Sequence, residues 1–408
     1  MIDPPTGMRN RTTNCSKKMG GWYSWWTGRI GFDESQGEIR DNGRPKVALV
    51  IGITGIVGTS LAKILPRSDA PGGPWKVYGV ARRPQPRWFA DAPIEYIQCD
   101  VLNEADTQEK ITPLRDVTHL FWVVWVNRST EERNCHDNGK MFQNVLDALL
   151  PNAPRLQHIV LQTGGKQYLG PFALAGKIPA HEPPFKEDMP RLPVPNFYYT
   201  LEDILFKTVK KKEGLTWSVH RPNAILGFSP WSLMNILGGL AVYAAICKHE
   251  GLPFRYPGNR ATWEQFGDAS DAELIAEQEL WACLDPNGKN QAFNVSNGDV
   301  FNYKRVWHLL AGKFGLEVAP YNGQPISMKE VMKNKGPVWD AMVEEHDLVP
   351  TKLDDVGNWW FVDFTLNTPA PMISNPNKAK ELGFLGFRNT ETSIVHWVDK
   401  MRRKKIIP

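Results

Sequence analysis

From Lys46 onward, short apolar runs rich in β-branched and aromatic residues alternate with amphipathic stretches. Val47 to Ile51 is continuous and β-rich, as a strand buried on both faces requires; a glycine turn follows, and Ser60 to Leu65 begins a helix-like segment. The same reasoning predicts strands at Trp75 to Ala81, Ile94 to Gln98, His119 to Val126, Gln157 to Leu161 and Trp217 to His220. Helical segments lie between them, around Ala105 to Ile111, Asn138 to Leu150 and Leu201 to Lys212. Strands alternating with helices predict an α/β fold with a Rossmann-type, doubly wound parallel sheet. Pro179 to Pro195 reads as a long loop over the sheet's functional edge. After Pro222 the alternation gives way to a mixed carboxyl-terminal half. The expected organisation is an amino-terminal segment over 1–45, the sheet domain over 46–230 and a substrate-binding cap over 231–408.

Composition narrows this picture. With 408 residues, 42% hydrophobic and 23% charged, the chain has enough apolar material for a large core. A net charge of +4 with no clustered basic face argues against a nucleic-acid partner. The five cysteines form no C-x-x-C pair, so neither a disulfide framework nor a zinc site is expected, and the nine histidines show no metal-ligand spacing. A reducing compartment suits these cysteines, and the cytoplasm is the expected location. Trp231 to Cys247 is nearly charge-free but at the lower limit for a bilayer span, and is expected to be a buried helix in or beside a pocket. Met1 to about Lys18 reads as a polar tail, and Trp22, Tyr23, Trp25 and Trp26 as a cluster that packs onto the body. Lys400 to Lys405 reads as a solvated helix end.

The first strand runs into Gly52-Ile53-Thr54-Gly55-Ile56-Val57-Gly58, a G-x-x-G-x-x-G turn. Between a strand and a helix, such a turn lets backbone N–H groups approach a pyrophosphate at the helix amino terminus. Gly52, Thr54, Gly55, Ile56, Val57 and Gly58 are therefore cofactor candidates. NAD-specific folds usually carry an acid after the second strand for the ribose 2′-hydroxyl; this chain has Arg82 and Arg83. Guanidinium groups suit a 2′-phosphate, so NADPH is the expected cofactor. Asp100, followed by Val101, comes after the third strand, where its carboxylate either holds the adenine amino group or caps the next helix.

No tyrosine in the chain is followed four residues later by lysine, so the usual Tyr-x-x-x-Lys pair of short-chain dehydrogenases is absent. This disfavours a nucleotide-sugar epimerase or dehydratase, and leaves either a non-catalytic NADP-binding redox sensor or an enzyme whose lysine comes from another element. Lys166, beyond the strand ending at Leu161, is such a lysine, and the helix beginning near Asn196 offers Tyr198 and Tyr199. The residues alone do not choose between these two tyrosines.

Lys166 with Tyr198, the Trp25-Trp26 pair, Gly52 to Gly58, Pro71 to Pro84 (PGGPWKVYGVARRP) and Glu381 to Arg388 (ELGFLGFR) closely resemble the plant progesterone 5β-reductase/iridoid synthase family. The resemblance runs from about Gly21 to Pro408. It implies an NADPH-dependent 1,4-reduction of an α,β-unsaturated ketone or aldehyde, a small lipophilic enone, with Tyr198 and Lys166 as the catalytic pair. Hydride arrival at the β-carbon leaves an enolate oxygen that needs a donor; Tyr198 would supply it, and Lys166 would favour a polarised or ionised phenol. The resemblance also implies substrate contacts from Trp125 and Phe361 and a homodimer, and Arg221-Pro222-Asn223 resembles the segment of extended short-chain dehydrogenases that approaches the nicotinamide carboxamide, which makes Pro222 and Asn223 cofactor candidates. Simple reduction and reductive cyclisation of 8-oxogeranial both stay open.

Overall fold

The computed structural model describes residues 45–408; the expectations for the polar tail and the tryptophan cluster fall outside them. The main sheet contains β1 (Val47–Ile51), β2 (Lys76–Ala81), β3 (Glu95–Gln98), β4 (His119–Trp122), β5 (His158–Gln162) and β6 (Thr216–Pro222). Two further strands, β7 (Ala224–Leu226) and β8 (Ala269–Asp271), pair with each other, and β9 (Gln291–Val295) returns to the main sheet. All seven main strands are parallel, in the order β3-β2-β1-β4-β5-β6-β9. This is the doubly wound arrangement that the alternating pattern requires.

Side chains alternate across the strands and feed two cores. Ala48, Val50, Val77, Phe121 and Val160 pack on one face, whereas Val47, Leu49, Ile51, Leu120, Ile159 and Leu161 pack on the other. Every residue of β1 is buried, which explains its unbroken apolar sequence. The chain enters the cap after β7 but comes back to the sheet: the buried helix Ala272–Leu284 covers it and β9 extends it beside β6. Sheet and cap are thus interleaved beyond residue 230.

Five helices set the positions that matter below: α1 (Ile56–Ile64), α2 (Glu104–Ile111), α3 (Glu131–Leu149), α4 (Lys166–Leu169) and α5 (Phe197–Lys211). Two start earlier than the apolar periodicity predicts: α1 begins directly after Gly55 and α3 after Thr130, whereas α5 begins after Asn196, near where it was expected. α3 and α5 each start on a side-chain cap: Thr130 accepts from Arg133 N–H, and Asn196 from Tyr198 N–H at 3.0 Å. β4 is shorter than predicted: Val123 N–H still donates to Ile51 C=O at 3.1 Å, but the chain then leaves the ladder, and Val126 is held by Asn138. Its side chain accepts from Val126 N–H at 2.8 Å and donates to Val126 C=O at 2.9 Å. The loop before α5 is pinned to the sheet at Glu187, whose carbonyl accepts from Arg221 and whose carboxylate accepts from Asn294 N–H.

The charge-free stretch forms α6 (Ile236–Glu250), whose residues Ile236 to Cys247 are all buried, as an all-round apolar helix must be. Its 15 residues span about 22 Å at the usual rise, and among the described residues no helix is long and apolar enough to cross a membrane. The basic carboxyl-terminal helix end is less solvated than expected. Lys400 lies 4.2 Å from the Trp397 ring, close to Glu273, and burial pulls its ammonium down to about 8.

Candidate active site

The strand order changes direction between β1 and β4, and a crevice opens there at the carboxyl ends of the strands. A cavity of about 750 Å³ occupies it. Gly52 turns at φ +98°, and a Cβ there would sit 2.9 Å from Val123 C=O, so only glycine suits the turn. The N–H groups of Gly52 and Ile53 both donate to Val80 C=O, and Gly55 N–H closes the turn on Gly52 C=O at 2.9 Å. Gly52, Thr54, Gly55, Ile56 and Val57 line the cavity at the amino end of α1. Gly58 does not: a Cβ on it would lie 2.2 Å from Gly52 C=O, so its part is to let α1 pack against the strand-turn unit.

Arg82 and Arg83 leave the end of β2 and reach the same cavity. The Arg83 guanidinium lies 5.1 Å from the Trp231 ring, which in turn packs edge-on against Trp88. Asp100 and Val101 line the cavity beside them. Asp100 is not the cap of α2; Asn103 takes that place, accepting from Asp106 N–H, while Asp100 accepts from Leu102 N–H at 3.1 Å. Gln162, at the end of β5, also lines the cavity, and its Oε1 is buried with no partner among the described residues. A bare glycine turn, two guanidiniums and an unmatched acceptor fit a bound dinucleotide. Gln162 escaped the sequence analysis although its signal, the last position of a parallel strand, was present.

Tyr198 and Trp125 stand in the wall of this cavity. Trp125 stacks on Phe197, with centroids 5.5 Å apart, and Phe197 meets Tyr198 edge-on. The Tyr198 hydroxyl approaches the Gly164 turn so closely that a Cβ on Gly164 would lie 3.1 Å from it and from Pro222 C=O. Among the described residues it makes no hydrogen bond. Burial pushes this phenol up, and the Glu131 carboxylate pushes it further. Of the two states expected, polarised or ionised, both influences favour the protonated phenol. Tyr199 is already engaged: its hydroxyl donates to Gln167 C=O at 2.8 Å and accepts from Leu192 N–H.

Lys166 is buried and is not part of the cavity wall. Its Nζ lies 4.3 Å from the Phe197 ring and 5.6 Å from the Tyr198 ring, and donates to both Glu131 oxygens at 3.2 Å. Burial pulls the ammonium down and Glu131 raises it. The position one turn after Tyr198, where a lysine is usual, holds Glu202, which pairs with Arg221 and Arg191 at 2.9 Å each. That carboxylate is engaged beneath the sheet edge and leaves no place for a lysine there.

Two expected contacts are not brought to the cavity. Asn223 turns its amide inward, donating to the buried Asp268 carboxylate and to Met372 C=O, and neither it nor Pro222 lines the cavity; Ile225 does. Phe361 packs into the core, because it and its neighbours on the helix Trp359–Leu366 point in different directions; Trp359 and Trp360 line the cavity instead. Away from the cavity, His249, Glu345 and His346 bring ligand atoms within 4.8 Å of one another, which no sequence spacing announced. All three are exposed, and among the described residues neither histidine has the hydrogen-bonded second nitrogen that orients metal ligands.

Comparison with known proteins shows the family. Residues 48–408 match the PRISE-like Rossmann-fold domain. An (S)-8-oxocitronellyl enol synthase of Nepeta cataria is 56% identical over 389 residues, covering 94% of this chain and 99% of that protein. A 3-oxo-Delta(4,5)-steroid 5-beta-reductase of Arabidopsis thaliana is 56% identical over 390 residues, again 94% and 99%. Among solved structures, a UDP-glucose 4-epimerase of Thermotoga maritima superposes with a TM-score of 0.61 at 15% identity, covering 88% of this chain and 99% of that one, a likeness of fold alone. With this family match over residues 48–408 and these relatives together, the chain belongs to the PRISE-like Rossmann-fold family.

Proposed function

We propose that this chain catalyses the NADPH-dependent 1,4-reduction of an α,β-unsaturated ketone or aldehyde. The observation that carries the reading is the Tyr198 phenol, without a hydrogen-bond partner among the described residues, in the wall of the cavity that also contains the glycine turn and the arginine pair. NADPH, when bound, supplies a hydride to the β-carbon of the enone. The turn at Gly52 to Val57 would bind its pyrophosphate, and Arg82 and Arg83 would bind its 2′-phosphate. As the carbon–carbon π electrons move toward the carbonyl, negative charge grows on its oxygen, and Tyr198 donates a hydrogen bond to it there. In a site sheltered from water such a preorganised donor is worth more than in solution. The aromatic wall of Trp125, Trp359 and Trp360 suits a lipophilic substrate.

The relatives' names describe two fates of one intermediate. Protonation of the enolate at carbon gives a saturated ketone, as the name of the steroid reductase implies; release as an enol matches the synthases. In the second fate the chain would act on 8-oxogeranial, with ring closure following reduction. A homodimer belongs to the same proposal. The experiment incubates the purified protein with NADPH or NADH and a steroid enone, 8-oxogeranial or a small cyclic enone, and identifies products by mass spectrometry. The reading predicts reduced or cyclised products with NADPH and much slower reaction with NADH. Tight NADPH binding with no turnover across these substrates would contradict it and favour a redox sensor.

A further inference from the structure

Glu131 is the first residue of α3, directly after its cap, and its side chain is 11% exposed. Its carboxylate gathers three groups from three helices. Oε1 accepts from Lys166 Nζ at 3.2 Å and from the backbone N–H of Phe197, the first residue of α5, at 2.9 Å; Oε2 accepts from Lys166 at 3.2 Å and from Asn134 Nδ2 at 2.9 Å. The Phe197 N–H is one of the donors that a helix leaves unmatched at its amino end, and a carboxylate is favoured there. The next residue of that helix is Tyr198.

We infer that Glu131 is a positioning residue for the reaction: it neutralises Lys166, ties that ammonium to the amino end of α5, and keeps Tyr198 a hydrogen-bond donor rather than a phenolate. The inference rests on the reading of Tyr198 as the donor to the substrate oxygen. In the Tyr-x-x-x-Lys arrangement an ammonium on the same helix draws the proton off the phenol; here the nearby ammonium is half of a buried ion pair. Besides the Phe172 and Phe197 rings, the groups facing Lys166 are Glu131 and the Cys135 thiol on α3 and the Tyr198 phenol on α5. The Cys135 thiol is pushed up by burial and stays uncharged, so Glu131 is the counter-charge. The carboxylate raises both Tyr198 and Lys166, so its loss makes either group release its proton at lower pH.

The test is the pH profile of kcat for the wild type, E131Q, E131D, K166M and the E131Q/K166M double variant, with Y198F as the control. In E131Q, whose amide oxygen still accepts from Phe197 N–H, kcat should fall roughly tenfold and its alkaline limb should move down by about one pH unit or more. E131D, which restores the charge, should move the limb back toward the wild type. On the K166M background, adding E131Q should change kcat by less than about twofold, because Glu131 acts through Lys166. The double variant leaves no buried charge unpaired, so it carries the test should E131Q fail to fold. An E131Q profile superimposable on the wild type, or an added loss in the double variant, overturns the inference. If Y198F turns over normally, the reading of Tyr198 itself falls; if Y198F is inactive while the E131Q profile is unmoved, only the role of Glu131 falls.

Discussion

A phenol in a cavity wall with no protein hydrogen-bond partner keeps its hydroxyl free for the acceptor of a ligand. Among the described residues Tyr198 is such a group, and the bare Gly164 turn beside it provides the room. The arginines after β2 make an equivalent argument for the cofactor. Replacing both Arg82 and Arg83 by alanine should raise KM for NADPH by about tenfold or more, as expected for losing charge-assisted hydrogen bonds, and leave KM for NADH nearly unchanged. Steady-state kinetics with the two cofactors checks this, and equal losses for both would remove the arginines from phosphate recognition. Both arginines were legible in the sequence because a strand end fixes where they point. Glu131 was not. It reads as an ordinary first-turn acid after a threonine cap, and only the approach of α4 and α5 from 35 and 66 residues away gives it partners.

Elements carry a second polar system, on β5, β6 and the covering helix. His158 bridges Thr216 and Ser218, Ser218 also contacts His220, and His220 contacts Gln278 on the covering helix at 2.8 Å. Burial pulls His220 from 6.5 down to about 4. A histidine whose folded value is depressed binds fewer protons than the unfolded chain between these limits. Its contribution to stability is therefore complete above about 6.5 and declines as pH falls toward about 4. Comparing the wild type with His220→Gln cancels the titration of the other groups. The wild type should lose up to about 3 kcal/mol relative to the variant between pH 7.5 and pH 4, since each tenfold change in proton affinity is worth about 1.4 kcal/mol. Urea unfolding at both pH values measures it; a constant difference would mean that His220 titrates normally in the folded protein. The strands themselves were legible from their apolar runs, whereas helix starts were set by caps that precede the apolar pattern. The choice of Trp359 and Trp360 over Phe361 was hidden, since a triple aromatic run does not reveal which member faces inward.

At the scale of the whole molecule, the cavity draws on both halves of the chain. The glycine turn, β2 and α5 supply Gly52, Arg82 and Tyr198, and the second half closes over them with Trp231, Met234 and Trp360. Ser229 ties the halves together by donating to Thr54 C=O at 2.8 Å within the turn itself. The return of the chain to the sheet as β9 was not legible, because parallel pairing across an intervening cap depends on contacts distant in sequence. On the proposed reading, this folding places the Tyr198 phenol where a bound cofactor and a lipophilic enone would meet. That claim is tested most directly by Tyr198→Phe, which removes the hydroxyl and little else. NADPH binding should be retained within about threefold, while kcat for the enone should fall by about a hundredfold or more, the usual cost of removing a donor to a developing oxyanion. Unchanged turnover in a variant that binds NADPH normally would contradict the account.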